Sequence, residues 1–385
     1  MIPYGKQDIS QSDIDAVVEV LKSEFLTQGP VISRFESAIA DYSGAKYGLA
    51  LNSATSALHV ACLALGLGPG DWLWTSPITF VATSNCGLYC GASVDFVDID
   101  PKTYNLCPVA LEAKLIEAEK EGRLPKVVIP VHLCGQPCDM QSINALGQRF
   151  GFSIIEDASH AIGGKYQGEP IGGCHYSDIT IFSFHPVKII TTAEGGVAVT
   201  NDPELADKMA LFRSHGITRE VSSMQASSDG PWYYEQISLG FNYRMTEMQA
   251  ALGLSQLQRL DAFVASRHTI ATHYDELLRD LPLKLPWQHP DSYSALHLYV
   301  IRLDLNALSR THREVFEYLR VNEIGVNLHY IPIYRHPYYA KIGNWVGGFP
   351  EAESYYAEAI SIPMYPGLDD GKQGQVLDVL RRALK

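Results

Sequence analysis

Hydrophobic positions follow two rhythms along the chain. Short apolar runs rich in Val, Ile and aromatic residues recur at 48–51, 72–76, 94–99, 127–131, 152–156, 179–184 and 197–200. They read as buried strands. Between them the apolar period lengthens to that of a helix. Ile14, Val17, Val18 and Leu21 share one such face, Phe35 and Ile39 a second, and Leu58, Ala61, Cys62 and Leu65 a third. Further helices are predicted over 79–89, 108–121 and 142–150. Strand and helix in alternation predict an α/β fold, a largely parallel sheet covered on both faces.

Polar punctuation sharpens the boundaries. Ser12, Asp13 and Asp15 resemble a capping box opening the first helix, which Leu26 to Pro30 would end. Asp202-Pro203 is an N-cap followed by proline at the first helical position. The polar stretch 222–232 reads as a mobile loop. Thr246 and Gln249 form a second capping box, predicted to open one long helix leading out of the first domain. After about residue 260 the pattern changes. Pro282, Pro286 and Pro290 punctuate a loop. Strands are expected at 297–303 and 324–330, with a helix capped by Thr311 between them and a closing helix at 376–384. The expected organisation is a large domain over 1–260 and a smaller α+β domain over 261–385.

Composition narrows the function classes. The 385 residues can bury a substantial core, and the net charge of -13 without a basic cluster argues against nucleic acid. No apolar run reaches membrane-spanning length, and the N-terminus lacks a signal peptide's apolar region, so a cytoplasmic protein is expected. Seven irregularly spaced cysteines read as reduced thiols. Cys134 and Cys138 are the one close pair in a polar setting, but C-x3-C without a second pair is a poor zinc signature, and no metal is expected.

Three places could carry chemistry. Lys188 is the only cation between the apolar runs 179–184 and 197–200. Desolvation there would lower its pKa and expose a free amine, as a Schiff-base lysine requires, although a loop lysine reaching for solvent fits the same pattern. The adjacent Gly195-Gly196 would let backbone approach a bulky group. Asp157 ends an apolar strand, where open α/β sheets bind ligands, and could equally cap a helix. Ser53 to Ser56 lie at a strand-to-helix turn, able to bind an anion, to cap, or to do both.

Ser183-Phe-His-Pro-Val-Lys188, followed by Thr191-Thr-Ala-Glu-Gly-Gly196, resembles the lysine segment of the DegT-type sugar-nucleotide aminotransferases. The resemblance runs from Tyr4 to the C-terminal helix. Leu26-Thr-Gln-Gly29, Asn52-Ser-Ala-Thr-Ser-Ala-Leu58 and Val326-Asn-Leu-His-Tyr330 are most similar to the branch serving pseudaminic acid biosynthesis. The resemblance implies the aspartate-aminotransferase-like fold (fold type I) and pyridoxal 5'-phosphate as cofactor. It assigns Lys188 as catalytic lysine and Asp157 as partner of the pyridine nitrogen. His160 would line the ring or its phenolic oxygen, and Phe80 would stack on it. The amides of Ala54 and Thr55 and the hydroxyl of Ser183 would hold the phosphate. Asn242 would reach the phosphate of a neighbouring subunit, making a homodimer with shared sites. Tyr4, Glu24, Phe25, Leu26 and Thr27, with Asn327, Leu328, His329 and Tyr330, would contact a UDP-sugar. The implied reaction aminates UDP-2-acetamido-2,6-dideoxy-β-L-arabino-hex-4-ulose at C4, with glutamate as donor. A related dehydratase branch carries histidine in place of the lysine, so Lys188 argues against it. A binding regulator on the same scaffold is disfavoured by the intact Asp157 and Lys188. A nicotinamide dehydrogenase is disfavoured because no G-x-G-x-x-G joins a strand to a helix.

Overall fold

The computed structural model describes every residue except 344, 346 and 347. Seven strands form the main sheet: β1 (Tyr47–Leu51), β2 (Trp72–Thr75), β3 (Ser93–Phe96), β4 (Val127–Ile129), β5 (Ser153–Asp157), β6 (Ile179–Ser183) and β7 (Gly196–Thr200). Their spatial order is β1-β7-β6-β5-β4-β2-β3. Only β7 runs against the rest, since it pairs antiparallel with both β1 and β6. The strands are apolar on both sides because both sides are covered. Ala50, Val128 and Ile154 point into one core, while Leu49, Leu51, Val127, Ile129 and Ile155 point into another. This is the two-faced burial expected of a parallel sheet.

The helices before β5 are α1 (Gln11–Lys22), α2 (Pro30–Ser43), α3 (Ala54–Ala64), α4 (Ala82–Tyr89), α5 (Pro108–Glu121) and α6 (Met140–Phe150). The sequence reading of α1 needs two corrections. Its cap is Ser10, which forms the capping box with Asp13, and the expected apolar face is not the packed one: Ile14 and Leu21 are exposed. Helix α1 turns Asp13 inward instead. That buried carboxylate accepts hydrogen bonds from Ser255 at 2.6 Å and Gln256 at 2.7 Å and pairs with Arg259 at 2.6 Å. Charge-assisted bonds have outweighed a modest apolar periodicity. Helix α4 begins at Ala82, three residues later than the apolar pattern suggested.

Helix α7 (Pro203–Arg213) starts as expected, with Asp202 capping the amides of Glu204 and Leu205. Thr246 and Gln249 do form a capping box, but the helix they open is two helices. α8 (Glu247–Leu257) ends, and α9 (Leu260–Leu278) starts afresh past Arg259, whose backbone leaves the helical region. In the C-terminal part, β8 (Tyr299–Leu303) pairs antiparallel with β9 (Ala359–Ile362). The expected strand over 324–330 is absent. That segment joins its surroundings only through single bridges, Ile324 to Ile2 and Asn327 to Ser361, and β9 takes the place beside β8. Helix α10 (His312–Val321) is capped by Thr311 with Glu314, α11 (Pro337–Ile342) and α12 (Pro350–Glu358) follow, and α13 (Asp370–Ala383) begins earlier than its apolar residues indicate, capped by Asp369.

Candidate active site

The carboxyl ends of the parallel strands and the start of the reversed strand β7 meet along one edge of the sheet. Register places Ser183 and Leu51 on either side of Gly196 there. Asp157 closes β5 at the same edge, buried. Its Oδ2 accepts from Thr83 Oγ1 at 2.7 Å and its Oδ1 from the Ser159 amide at 3.1 Å. Thr83 itself meets Thr79 at 2.8 Å. Neither threonine stood out in sequence. Their i, i+4 spacing was the available signal, and it needed Asp157 opposite to acquire meaning.

Lys188 follows β6 in a turn closed by its amide on His185 O. Among the described residues its Nζ makes no hydrogen bond or ion pair. Desolvation lowers its pKa to about 8, against the opposing pull of the Asp157 carboxylate. About a tenth of Lys188 is then the free amine at neutral pH, far more than for an ordinary lysine.

The turn after β1 caps its helix, as one reading of it expected. Ser53 Oγ caps α3 by accepting from the Ser56 amide at 3.1 Å. That satisfies the third amide of the helix and leaves those of Ala54 and Thr55 free. The bulky group facing the glycine pair is the chain itself. A Cβ on Gly196 would sit 2.5 Å from Ala54 N, so its absence keeps this amide clear. Ser183 is buried at the end of β6 and its hydroxyl bonds to none of the described residues. These free donors at a helix N-terminus fit a phosphate. The lysine and carboxylate fit the aldehyde and ring nitrogen of pyridoxal phosphate.

Phe80 is 57% exposed, so it is not a core residue and its ring is available. Its centroid lies 6.2 Å from that of Tyr330. Tyr330 Oη meets His160 Nε2 at 3.2 Å, and His160 Nδ1 accepts from the Cys134 amide at 3.3 Å. Burial, with Lys188 and His329 nearby, holds His160 well below the usual imidazole range. The neutral ring must then carry its proton on Nε2 and donate it to Tyr330, leaving the phenol's own proton for another acceptor. Burial raises the Tyr330 pKa, so the phenol keeps that proton.

The rest of segment 327–330 assembles beside these groups. His329 Nδ1 lies 2.8 Å from Ser361 Oγ and its Nε2 3.3 Å from Asn327 Nδ2. Burial and Lys188 bring its pKa down to about 3. Tyr4 packs on it, ring centroids 5.3 Å apart, and Leu328 donates its amide to Asn327. Glu24, Phe25, Leu26 and Thr27 form no contact of this kind with that cluster. They are fixed from the other side, where Thr27 bridges Thr246 and Leu26 O accepts from the Glu247 amide. Asn242 is exposed and its side chain has no hydrogen-bond partner among the described residues, although its carbonyl lies beside Asn52.

Comparison with known proteins agrees with this geometry. Residues 7–381 match the DegT/DnrJ/EryC1/StrS aminotransferase family. The chain is 40% identical over 387 aligned positions to the spore coat polysaccharide biosynthesis protein SpsC of Bacillus subtilis, covering 100% of this chain and 97% of that one. It is 38% identical over 366 positions to the UDP-4-amino-4,6-dideoxy-N-acetyl-beta-L-altrosamine transaminase of Campylobacter jejuni, covering 95% and 93%. Among solved structures, Helicobacter pylori PseC, an aminotransferase of pseudaminic acid biosynthesis, superposes with a TM-score of 0.91 at 33% identity, over 100% of this chain and 99% of that one. With its strand-edge lysine and carboxylate in a matching fold, the chain belongs to the DegT/DnrJ/EryC1/StrS aminotransferase family and is a pyridoxal-phosphate-dependent sugar aminotransferase.

Proposed function

We propose that the enzyme aminates a UDP-linked 4-keto-6-deoxy sugar, UDP-2-acetamido-2,6-dideoxy-β-L-arabino-hex-4-ulose, with glutamate as amino donor, as a step toward pseudaminic acid. The observation that carries this reading is the cluster of Tyr4, Asn327, His329 and Tyr330 packed against His160, beside Lys188. When bound, pyridoxal phosphate supplies a ring that accepts the electron pair left at the deprotonated carbon. Lys188 Nζ would bind the cofactor, take the proton from the α-carbon of the amino donor as base in one half-reaction, and give a proton to the sugar carbon as acid in the other. Asp157 holds a proton on the ring nitrogen, and Thr83 holds Asp157. Ala54, Thr55 and Ser183 grip the phosphate, Phe80 covers one ring face, and His160 lines the ring. Asn242 reaches the phosphate in the partner subunit of a homodimer. Tyr4, the segment Glu24, Phe25, Leu26 and Thr27, and Asn327, Leu328, His329 and Tyr330 hold the sugar nucleotide. The seven free thiols suit the reducing cytoplasm.

A different nucleotide-linked keto sugar is the second reading, favoured by the similarity to the spore coat protein. Mass spectrometry of products from a panel of UDP- and dTDP-linked keto sugars with glutamate separates the two. The altrosamine product should dominate. Preferential amination of a dTDP sugar, or of a 3-keto sugar, would overturn the assignment.

A further inference from the structure

Helix α9 buries one arginine that no acid neutralises. Arg267 is 1% exposed, and among the described residues no carboxylate pairs with it. Burial lowers its pKa to about 10, so the guanidinium stays charged at neutral pH. Its bonds go to backbone instead. Nη1 donates to Leu296 O at 3.2 Å, His297 O at 3.0 Å and Met364 O at 3.1 Å, and Nε has no partner among the described residues. Nη1 has two hydrogens for three carbonyls, so one hydrogen is shared. A buried charge without a counter-ion costs more than an apolar side chain of the same size. Its reason lies in what the three carbonyls belong to.

They belong to two chain segments, far apart in sequence, that back the cluster around Tyr330. Leu296 and His297 form a corner in which Leu296 takes a left-handed conformation, φ 47°, that leucine rarely adopts. The His297 ring packs on His160, centroids 4.4 Å apart, and His160 meets Tyr330. Met364 donates its amide to Tyr4 O at 2.9 Å, and Tyr4 packs on His329. We propose that Arg267 is a positioning residue for the sugar nucleotide: one guanidinium ties the corner behind His160 to the residue behind Tyr4, and so fixes the two contacts, on Tyr330 and on His329, that shape segment 327–330. This rests on the reading that Tyr4 and that segment hold the sugar nucleotide.

The test measures UDP affinity of the full-length enzyme, loaded with pyridoxal phosphate, by calorimetry. Arg267→Met keeps an apolar stem and removes the charge and the donors. UDP affinity should fall roughly tenfold, the equivalent of about one hydrogen bond to the nucleotide. The kcat/KM for the keto sugar should fall in step, while the half-reaction with glutamate and the cofactor spectrum stay almost unchanged. Arg267→Lys keeps the charge but is one bond shorter, and its affinity should fall between Arg267→Met and wild type. Gln373→Leu is the control for stability alone. It removes a different buried bond to α9, from Gln373 Nε2 to Ile270 O at 2.8 Å, and should lower the melting temperature without changing UDP affinity.

Three outcomes overturn the proposal. One is wild-type UDP affinity in Arg267→Met or, should that variant not fold, in Arg267→Lys. Another is a glutamate half-reaction slowed as much as the sugar half-reaction. The third is an equal loss of affinity in Gln373→Leu. A wild-type enzyme that does not bind UDP is a separate result: it overturns the sugar-nucleotide reading first and this proposal with it.

Discussion

The strand-edge region around Lys188 and the segment 324–330 face the same site but are built differently. The first hangs on a regular sheet. Asp157, Ser183 and Gly196 occupy fixed register positions, and the backbone of each is set by ladder bonds to neighbours. The second has no ladder. Single bridges and side-chain bonds hold it, Asn327 to His329 and His329 to Ser361, and its histidine and tyrosine are neutral because they are buried. A regular edge can hold reacting groups rigidly while an irregular segment changes one contact at a time. The function proposed above accordingly places the chemistry on the sheet and substrate choice on the segment.

The sharpest way to break this division is to remove the reacting lysine. Lys188→Ala should cost at least about a hundredfold to ten-thousandfold in turnover, the span of a lost general acid–base group, with every substrate alike. The visible band of the cofactor–lysine adduct should vanish with it. Full turnover in Lys188→Ala would move the chemistry elsewhere, with Lys165 the next to test.

Asp157→Ala should act on the same side with a smaller effect. Loss of a charge-assisted partner in a buried site costs about 1.5–3 kcal/mol, hence roughly tenfold to a hundredfold in turnover. Its pH signature has a definite sign. The carboxylate of Asp157 favours the Lys188 ammonium, so deleting it should lower the Lys188 pKa from about 8 and move the midpoint for capturing pyridoxal phosphate by the apoenzyme to lower pH than in the wild type. An upward shift, or unchanged turnover with cofactor bound, would remove the assigned role.

The two regions also differed in how far the sequence revealed them. The strands at 179–184 and 197–200 could be read because burial on both faces makes them continuously apolar, and the resemblance then marked Lys188. The run 324–330 is just as apolar at Ile324 and Val326, yet forms no strand: it meets its neighbours only through the single bridges Ile324 to Ile2 and Asn327 to Ser361. Whether an apolar run extends into a ladder depends on distant partners and leaves no local mark. The same holds for Asp13, which pairs with Arg259 far along the chain, and for the thiols of Cys62 and Cys86, which meet only when α3 packs on α4.

Asn242 tests whether the strand edge is complete within one chain. Lys188→Ala and Asn242→Ala, each inactive alone, should regain about a quarter of wild-type activity when refolded together. Random mixing makes about half the dimers mixed, each with one site holding both intact residues. No recovery would place Asn242 in its own chain's site. If Asn242→Ala alone proves only mildly defective, Asn242→Trp is the variant to mix.

The smallest effect is expected at Tyr330. Tyr330→Phe keeps the ring that faces Phe80 and removes only the hydroxyl that takes the His160 proton and offers its own onward. A neutral hydrogen bond contributes about 0.5–1.5 kcal/mol, so roughly a twofold to tenfold loss is predicted. The division between the regions fixes where that loss must appear. It should fall on kcat/KM for the keto sugar, with the half-reaction between glutamate and cofactor almost unchanged, because the phenol sits on the segment and not on the strand edge. His160 would keep its Cys134 contact, so its neutral state and the cofactor spectrum should persist. If Tyr330→Phe instead slows the glutamate half-reaction as much as the sugar half-reaction, the hydroxyl serves the cofactor, and segment 327–330 must be counted with the strand edge.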